Sequence, residues 1–451
     1  MEKTNEDQIS VRRKNRERSP KKGGNSDHDS IPYFKSLGME ITDNLQPIKF
    51  FDNRSELVHR WAPYVQGFSA TFVQSQFERY KNDYEHPLIL DPFAGCGTVL
   101  VQSKLNGLRS YGTELNPLLH FVANAKLNYW DIKVERIKEV YSSLSRARKT
   151  SAPEFINSQK QFNPEVLDNL EILKGGIDSI QPTGEAVRKI KELLLVAFSA
   201  ILVDCSNLVR SPCLGYKKNK MVASDAPYVL MDKKVNSIMH DLKLIQNNFK
   251  RYINTESFVY LANAKDYQYD KKFDLVITSP PYMNGLDYVM NYKIEMGWLG
   301  FADNHKSLKS IKDEMVVCDN VSKRLIKEFA DNGNSYSNDW LDKITHDIEE
   351  SLIRRGSYRR MDMPFIILKY FDDMYHVMKN VVTSMADNSR FILVVGDSLI
   401  ADVYLPTDLL IARIGKDIGL KIESIEKARE RRSGQIRSYR LRESIITLYK
   451  E

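Results

Sequence analysis

The sequence predicts an α/β chain built on a doubly wound, seven-stranded sheet with a helical insertion, and three observations carry that expectation. Short apolar strand-like runs alternate with segments of helical spacing. A glycine turn, Gly95-Cys96-Gly97, joins one such strand directly to a helix. An acid, Glu114, closes the next strand 19 residues after Gly95, the spacing of nucleotide-binding α/β folds. With 451 residues the chain is long enough to bury a large core.

Residues 1–28 carry Arg12, Arg13, Lys14, Arg16, Arg18, Lys21 and Lys22 almost without large apolar side chains, and read as a disordered basic arm. Strands are expected at 87–90 and 109–113, with helices at 99–105 and 117–127 completing a βαβ unit. Residues 131–254 are too long for a crossover, and helical spacing at 134–144, 164–180 and 184–202 makes them a helical insertion. Strands at 258–261 and 274–278 return to the sheet. A polar interruption follows at 300–362, with helical flanks at 311–331 and 340–354 around the loop Asn332-Gly333-Asn334-Ser335. The last three strands are expected at 391–395, 421–425 and 444–448. The sheet domain therefore comprises residues 29–130, 255–299 and 363–451.

Four cysteines, Cys96, Cys205, Cys213 and Cys318, form neither a CxxC pair nor a zinc-ligand spacing, so no metal is expected and a reducing cytoplasm is the natural compartment. No segment approaches the ~20 apolar residues of a membrane helix. The net charge of +7 is modest, but its arginines cluster. Arg354, Arg355, Arg359 and Arg360 surround a Gly-Ser-Tyr, and Arg429, Arg431, Arg432, Arg437, Arg440 and Arg442 frame Ser433-Gly434-Gln435. Both patterns suit loops that contact phosphates, and equally a solvated surface.

Two motifs carry chemistry. In Ser279-Pro280-Pro281-Tyr282 the successive prolines lack N–H donors, which leaves nearby carbonyls as outward acceptors, and Tyr282 adds a flat face. A planar heterocycle with an exocyclic amine fits: its NH2 bonded to the Ser279 hydroxyl or Pro280 carbonyl, its ring stacked on Tyr282. A proline-rich turn closing a buried strand would look the same. In the glycine loop, Gly95 and Gly97 permit a close backbone approach, and Glu114 would accept hydrogen bonds from ribose hydroxyls. The loop lacks the third glycine of a dinucleotide site and the GK[ST] of a phosphate-binding loop, so an adenosyl cofactor without a pyrophosphate suits it better.

Asp91-Pro92-Phe93-Ala94-Gly95-Cys96-Gly97-Thr98 together with Thr278-Ser279-Pro280-Pro281-Tyr282 resembles the amino-group DNA methyltransferases, over roughly residues 50–130 and 255–450. The resemblance implies a Rossmann-like class I methyltransferase sheet and S-adenosylmethionine as cofactor. It implies Asp91, Phe93, Gly95, Gly97 and Thr98 around the methionine half of the cofactor and Glu114 at its ribose. Phe258 to Asp266 resembles the segment that meets the adenine, where Asn263 or Asp266 would accept the amine. Val58 to Ser69 resembles a segment folded over the methionine end, where Trp61, Tyr64 and Phe68 would form an aromatic wall and Tyr64 counts among the cofactor residues. His59 is given no catalytic role. The tetrad Ser279, Pro280, Pro281 and Tyr282 would hold the amine of a base flipped out of duplex DNA. Serine at its first position points to cytosine N4. Adenine N6 is the alternative, followed by an RNA guanine amine and by a catalytically silent nucleic-acid-binding subunit. A cognate restriction endonuclease is an expected partner, and residues 300–362 are a candidate DNA-recognition element. Pro212-Cys213 matches the nucleophile of carbon methylation but lies in the insertion and reads as incidental.

Overall fold

The central strands of this chain are buried on both sides, so each must be covered twice. In the strand Phe273–Thr278, Leu275 and Ile277 belong to one buried apolar cluster, and Phe273 and Val276 to the other. The computed structural model describes residues 30–46, 48, 53–65, 67–211, 213–283, 285, 287–433 and 439–451. The basic arm predicted at 1–28 lies outside the described residues, as do Gly434, Gln435 and Arg437 of the second arginine cluster.

The strands are β1 (Ile41–Asp43), β2 (Ile89–Asp91), β3 (Ser110–Glu114), β4 (Leu208–Arg210), β5 (Leu214–Tyr216), β6 (Ser257–Leu261), β7 (Phe273–Thr278), β8 (Met385–Gly396), β9 (Ser398–Ile400), β10 (Val403–Leu405), β11 (Lys421–Arg432) and β12 (Arg440–Lys450). Eight of them form one sheet in the order β1-β11-β12-β8-β7-β2-β3-β6. Only β12 runs against its neighbours; every other pair is parallel. The sheet thus has eight strands where seven were expected. The addition is β1, three residues paired through Ile41 and Ile425 at the edge, too short and too exposed to show an alternating pattern. From β2 the chain steps to β3 on one side, while β7 pairs with β2 on the other. A crevice opens at such a reversal, beyond the carboxyl ends of the strands.

Between β3 and β6 stand the helices Val134–Ser142, Pro164–Asp178, Glu185–Cys205 and Ala226–Asn248 and the hairpin β4–β5. Leu170, Leu193, Phe198 and Leu242 from these helices share a cluster with Ile89, Leu275 and Ile277 of the sheet. The opposite face is covered by the helices Asp339–Arg355, Met363–Thr383 and Thr407–Asp417, through Leu341, Phe371 and Leu410. The helix expected over 311–331 is instead two, His305–Glu314 and Lys323–Asn332, with an extended break between them. Val316 and Val317 are buried in that break, and the Val317 N–H donates to Asp373 Oδ2 at 3.1 Å, replacing the bond that a helix would have made.

Candidate active site

The glycine loop leaves β2 at Asp91 and enters the helix Thr98–Leu105, with Gly97 as N-cap at φ 85°. A Cβ on Gly95, at φ 52°, would stand 2.6 Å from the Tyr64 hydroxyl, so the tyrosine rests directly on the loop backbone. Glu114, at the end of β3, fixes the loop from below. Its Oε2 accepts the Gly95 N–H at 2.8 Å and its Oε1 the Asn116 N–H at 2.7 Å. Burial pushes its carboxyl up to about 7, against the help of those donors. Asp91 is likewise pushed up to about 7 by burial. Its Oδ1 accepts the Phe93 N–H at 3.1 Å and the Thr278 hydroxyl at 2.7 Å. Thr278 is the last residue of β7, so this bond ties the glycine loop to the strand that presents the tetrad.

In the tetrad, the Ser279 hydroxyl donates to the Val394 carbonyl of β8 at 3.1 Å. With its hydrogen so committed, the oxygen keeps its lone pairs as acceptors for anything in front of it. The Pro281 carbonyl accepts the Tyr370 hydroxyl at 3.0 Å, whereas no described residue donates to the Pro280 carbonyl. Tyr282 donates to Glu443 Oε1 at 2.5 Å, and burial raises its phenol well above the usual value, which keeps it a neutral ring. A Cβ on Gly396 would collide with that ring at 2.9 Å and with the Arg431 guanidinium at 3.0 Å, so only glycine lets the three meet.

A narrow, partly open cleft, with about 50 Å³ of water-accessible space inside it, lies at the ends of these strands. Phe93 follows β2, β3 ends in Thr113 and Glu114, Asn263 follows β6, and Ser279 and Pro281 follow β7; Tyr64 and Tyr288 also line it. Asp91, Gly95, Gly97 and Thr98 belong to the loop beneath, and Pro280 and Tyr282 stand just past the wall rather than in it. Of the two candidates for an adenine amine, Asn263 lines the cleft and Asp266 is exposed outside it. The Asn263 amide nitrogen donates to the Glu314 carbonyl at 3.0 Å and its oxygen accepts the Lys265 N–H at 3.1 Å, which leaves the oxygen one lone pair.

Several expectations change here. The aromatic wall is Tyr64 with Tyr288, not Trp61 and Phe68, which are buried in the core; the Trp61 indole donates to Asp241 at 2.9 Å. His59 is buried beside Lys126 and, pushed down to about 3, stays neutral. The arginine clusters are largely spoken for. Arg442 is buried against Asp408 and Asp397, Arg429 pairs with Glu443, Arg440 with Glu430, and Arg431 donates to the Asp397 carbonyl. Arg355, Arg359 and Arg360 pair with Asp402, Asp319 and Asp362. Strand alternation turns Arg429 and Arg431 inward, which composition alone does not reveal. Cys213 is exposed in the turn of the β4–β5 hairpin. Sequence reasoning missed Thr278, Tyr288, Met315 and Val316. The first two had a legible signal, a hydroxyl at the strand end and an aromatic six residues past Tyr282. Met315 and Val316 line the cleft from a break read as helix. Among the described residues there is no group of side chains suited to a metal ion, and no helix is long and apolar enough to cross a membrane.

No family model matches the chain. It is similar to the type II methyltransferase M.BsoBI of Geobacillus stearothermophilus, at 23% identity over 87% of this chain and 84% of that protein. It is similar to the type II methyltransferase M.AvaI of Nostoc sp. at 26% identity over 88% and 85%, and to the type II methyltransferase M.MvaI of Kocuria varians at 22% over 84% and 86%. A solved rRNA methyltransferase, aviRa from Streptomyces viridochromogenes, aligns over 90% of this chain and 94% of its own at 8% identity, but with a TM-score of 0.31 it carries no argument. The resemblance to methyltransferases first visible in two motifs thus runs along more than four fifths of the chain.

Proposed function

We propose that this chain is a site-specific DNA methyltransferase, the modification half of a restriction–modification pair, which methylates the N4 amine of cytosine in duplex DNA. The observation that carries the reading is the union of two motifs at the carboxyl ends of adjacent strands. The glycine loop after β2 and the tetrad after β7 are joined by the Asp91–Thr278 bond and share one cleft. The type II methyltransferases similar to it over most of their length support the same reaction class.

S-adenosylmethionine supplies an already activated methyl group, so the protein has to bind, align and accept hydrogen bonds rather than form a covalent bond. The cradle fits it. Gly95, at φ 52°, lets the loop pass directly under Tyr64, and Glu114 lines the cleft with acceptor capacity beyond the backbone N–H groups it accepts, a match for a ribose hydroxyl. Asp91, Phe93, Gly97 and Thr98 complete the methionine side, Tyr64 lies over it, and Asn263 offers its remaining lone pair to the adenine amine. On the other side, the Ser279 oxygen and the Pro280 carbonyl accept the two hydrogens of the target amine. That localises the nitrogen lone pair and aims it at the methyl group, while the neutral Tyr282 ring holds the flipped base. The Ser279–Val394 bond makes serine an acceptor with no need of a charge. In this reading residues 29–130, 255–299 and 363–451 are the catalytic core, an endonuclease of the same site specificity is the partner, and the cytoplasm is the compartment. Incubation with S-adenosylmethionine and mixed-sequence duplex DNA, followed by digestion to nucleosides and mass analysis, tests it. N4-methylcytosine is the expected product; N6-methyladenine would reassign the base, and methylated RNA beside unmodified DNA would refute the substrate.

A further inference from the structure

Between β3 and β6 the chain makes a small hairpin, β4–β5, that plays no part in the sheet, yet a buried arginine from it packs on Tyr292, the ring behind the cleft-lining Tyr64. Arg210 ends β4 with 8% of its side chain exposed. Its Nε and Nη2 donate to the Asn291 carbonyl at 3.0 and 2.8 Å, it pairs with Glu295, and its guanidinium lies 4.6 Å from the centre of the Tyr292 ring. The hairpin is pinned a second time where the Leu214 N–H donates to Asn291 Oδ1 at 2.6 Å. Beyond Tyr292 comes Tyr64, near-parallel at 6.3 Å and 14°, and Tyr64 also lies near-parallel to Tyr288 at 6.2 Å and 19°. The Tyr292 hydroxyl also accepts the Val65 N–H at 3.1 Å, so it grips the backbone beside Tyr64. Tyr64 in turn rests on Gly95.

This cluster is costly as a mere stabiliser. It buries a charged pair and leaves Glu295 Oε2 without a donor, where apolar side chains of similar volume would hold two helices at least as well. A guanidinium does what they cannot: it fixes the plane of one ring by stacking and the backbone beneath it with a forked pair of hydrogen bonds.

We infer that Arg210 is a positioning residue for the cofactor site, through which the β4–β5 hairpin sets Tyr292, and Tyr292 sets Tyr64 over the glycine loop. The inference rests on the reading of the cleft as an S-adenosylmethionine site. Its test is calorimetric binding of S-adenosylmethionine to the full chain without DNA, with steady-state methylation beside it. Arg210→Met and Tyr292→Leu should each weaken binding about tenfold, the scale of one desolvated cation–π contact. The KM for S-adenosylmethionine should rise alike, with kcat and DNA affinity held within about twofold, and the double variant should be no worse than the poorer single one, as coupled residues require. Arg210→Lys keeps the charge opposite Glu295 but neither the plane nor the fork, and should fail to restore affinity. Should Arg210→Met not fold, Arg210→Lys and Tyr292→Leu decide by the same readout. Wild-type affinity in Arg210→Lys or in Tyr292→Leu, or strictly additive losses in the double variant, would overturn the relay while leaving the site reading intact. Absence of binding by the unaltered chain would overturn the site reading, and the relay with it.

Discussion

Glu114→Gln separates the two roles that the structure gives this side chain. The carboxylate accepts the backbone N–H groups of Gly95 and Asn116 and lines the cleft with acceptor capacity to spare. Glutamine retains one acceptor atom and turns an NH2 toward one of those N–H donors, which leaves a buried donor unsatisfied at a cost of about 1–3 kcal/mol. Against that, burial holds the native carboxyl up at about 7 instead of the usual 4.5, so above pH 7 the native fold bears a penalty of similar size, which a neutral amide escapes. The two effects nearly cancel, and urea denaturation at pH 8 should find the variant within about 1–2 kcal/mol of the native chain. Cofactor affinity has no such compensation. Losing hydrogen bonds to a charged acceptor, about 1.5–3 kcal/mol, should weaken S-adenosylmethionine binding by roughly 10- to 100-fold in calorimetry at the same pH. A folded variant that binds as tightly as the native chain would refute Glu114 as the ribose acceptor.

Binding should also depend on pH. Both Asp91 and Glu114 have folded values raised to about 7 from the usual 3.8 and 4.5. Their contribution to ligand-free stability is therefore present below about pH 4 and lost as pH rises through 7. A cationic ligand that needs them ionised should bind up to about tenfold more weakly per pH unit below 7 for each of the two groups, about a hundredfold for both, and level off above it. Calorimetry at pH 6, 7 and 8 reads this, and a flat profile would contradict it. Gly95→Ala places a Cβ 2.6 Å from the Tyr64 hydroxyl at a left-handed φ of 52°, which costs ~1–2 kcal/mol for the backbone alone. Thermal melting should show the loss, and adding Tyr64→Phe should recover part of it. Arg442→Met leaves Asp408 and Asp397 buried together without their cation and should cost ~3–5 kcal/mol in urea denaturation. A loss under about 1 kcal/mol would mean that Arg442 is the surface cation its composition suggests.

What was legible in the sequence was local. Seven strands announced themselves as short runs with apolar, aromatic or alternating apolar residues between turn and helix signals, and the glycine loop and tetrad because their residue types are rare in combination. β1 was silent because three residues that borrow their register from β11, 384 positions away, carry no period of their own. The helix expected through 315–322 breaks because its valines find a better site against the helix Met363–Thr383, a tertiary preference that spacing cannot encode. The arginines between 429 and 442 look like a phosphate-binding loop by composition, but strand alternation and buried acids just after β8 and on the helix Thr407–Asp417 turn several of them inward. Trp61 and Tyr64 differ in role for a similar reason. A carboxylate of the helix Ala226–Asn248, Asp241, claims the indole, while the phenol finds the glycine loop.

The central claim is that Ser279 belongs to the transfer step and the glycine loop to cofactor binding, within one cleft. Ser279→Ala removes the acceptor proposed for the target amine, and the Val394 carbonyl and Tyr282 each lose a hydrogen-bond neighbour. Single-turnover transfer of a labelled methyl group from S-adenosylmethionine to duplex DNA should fall by about 10²–10³-fold in this variant, the scale of one lost transition-state hydrogen bond. Its affinity for S-adenosylmethionine should stay unchanged, and the residual label should still be found in N4-methylcytosine. Transfer at the native rate, or a loss explained wholly by weaker cofactor binding, would contradict the account.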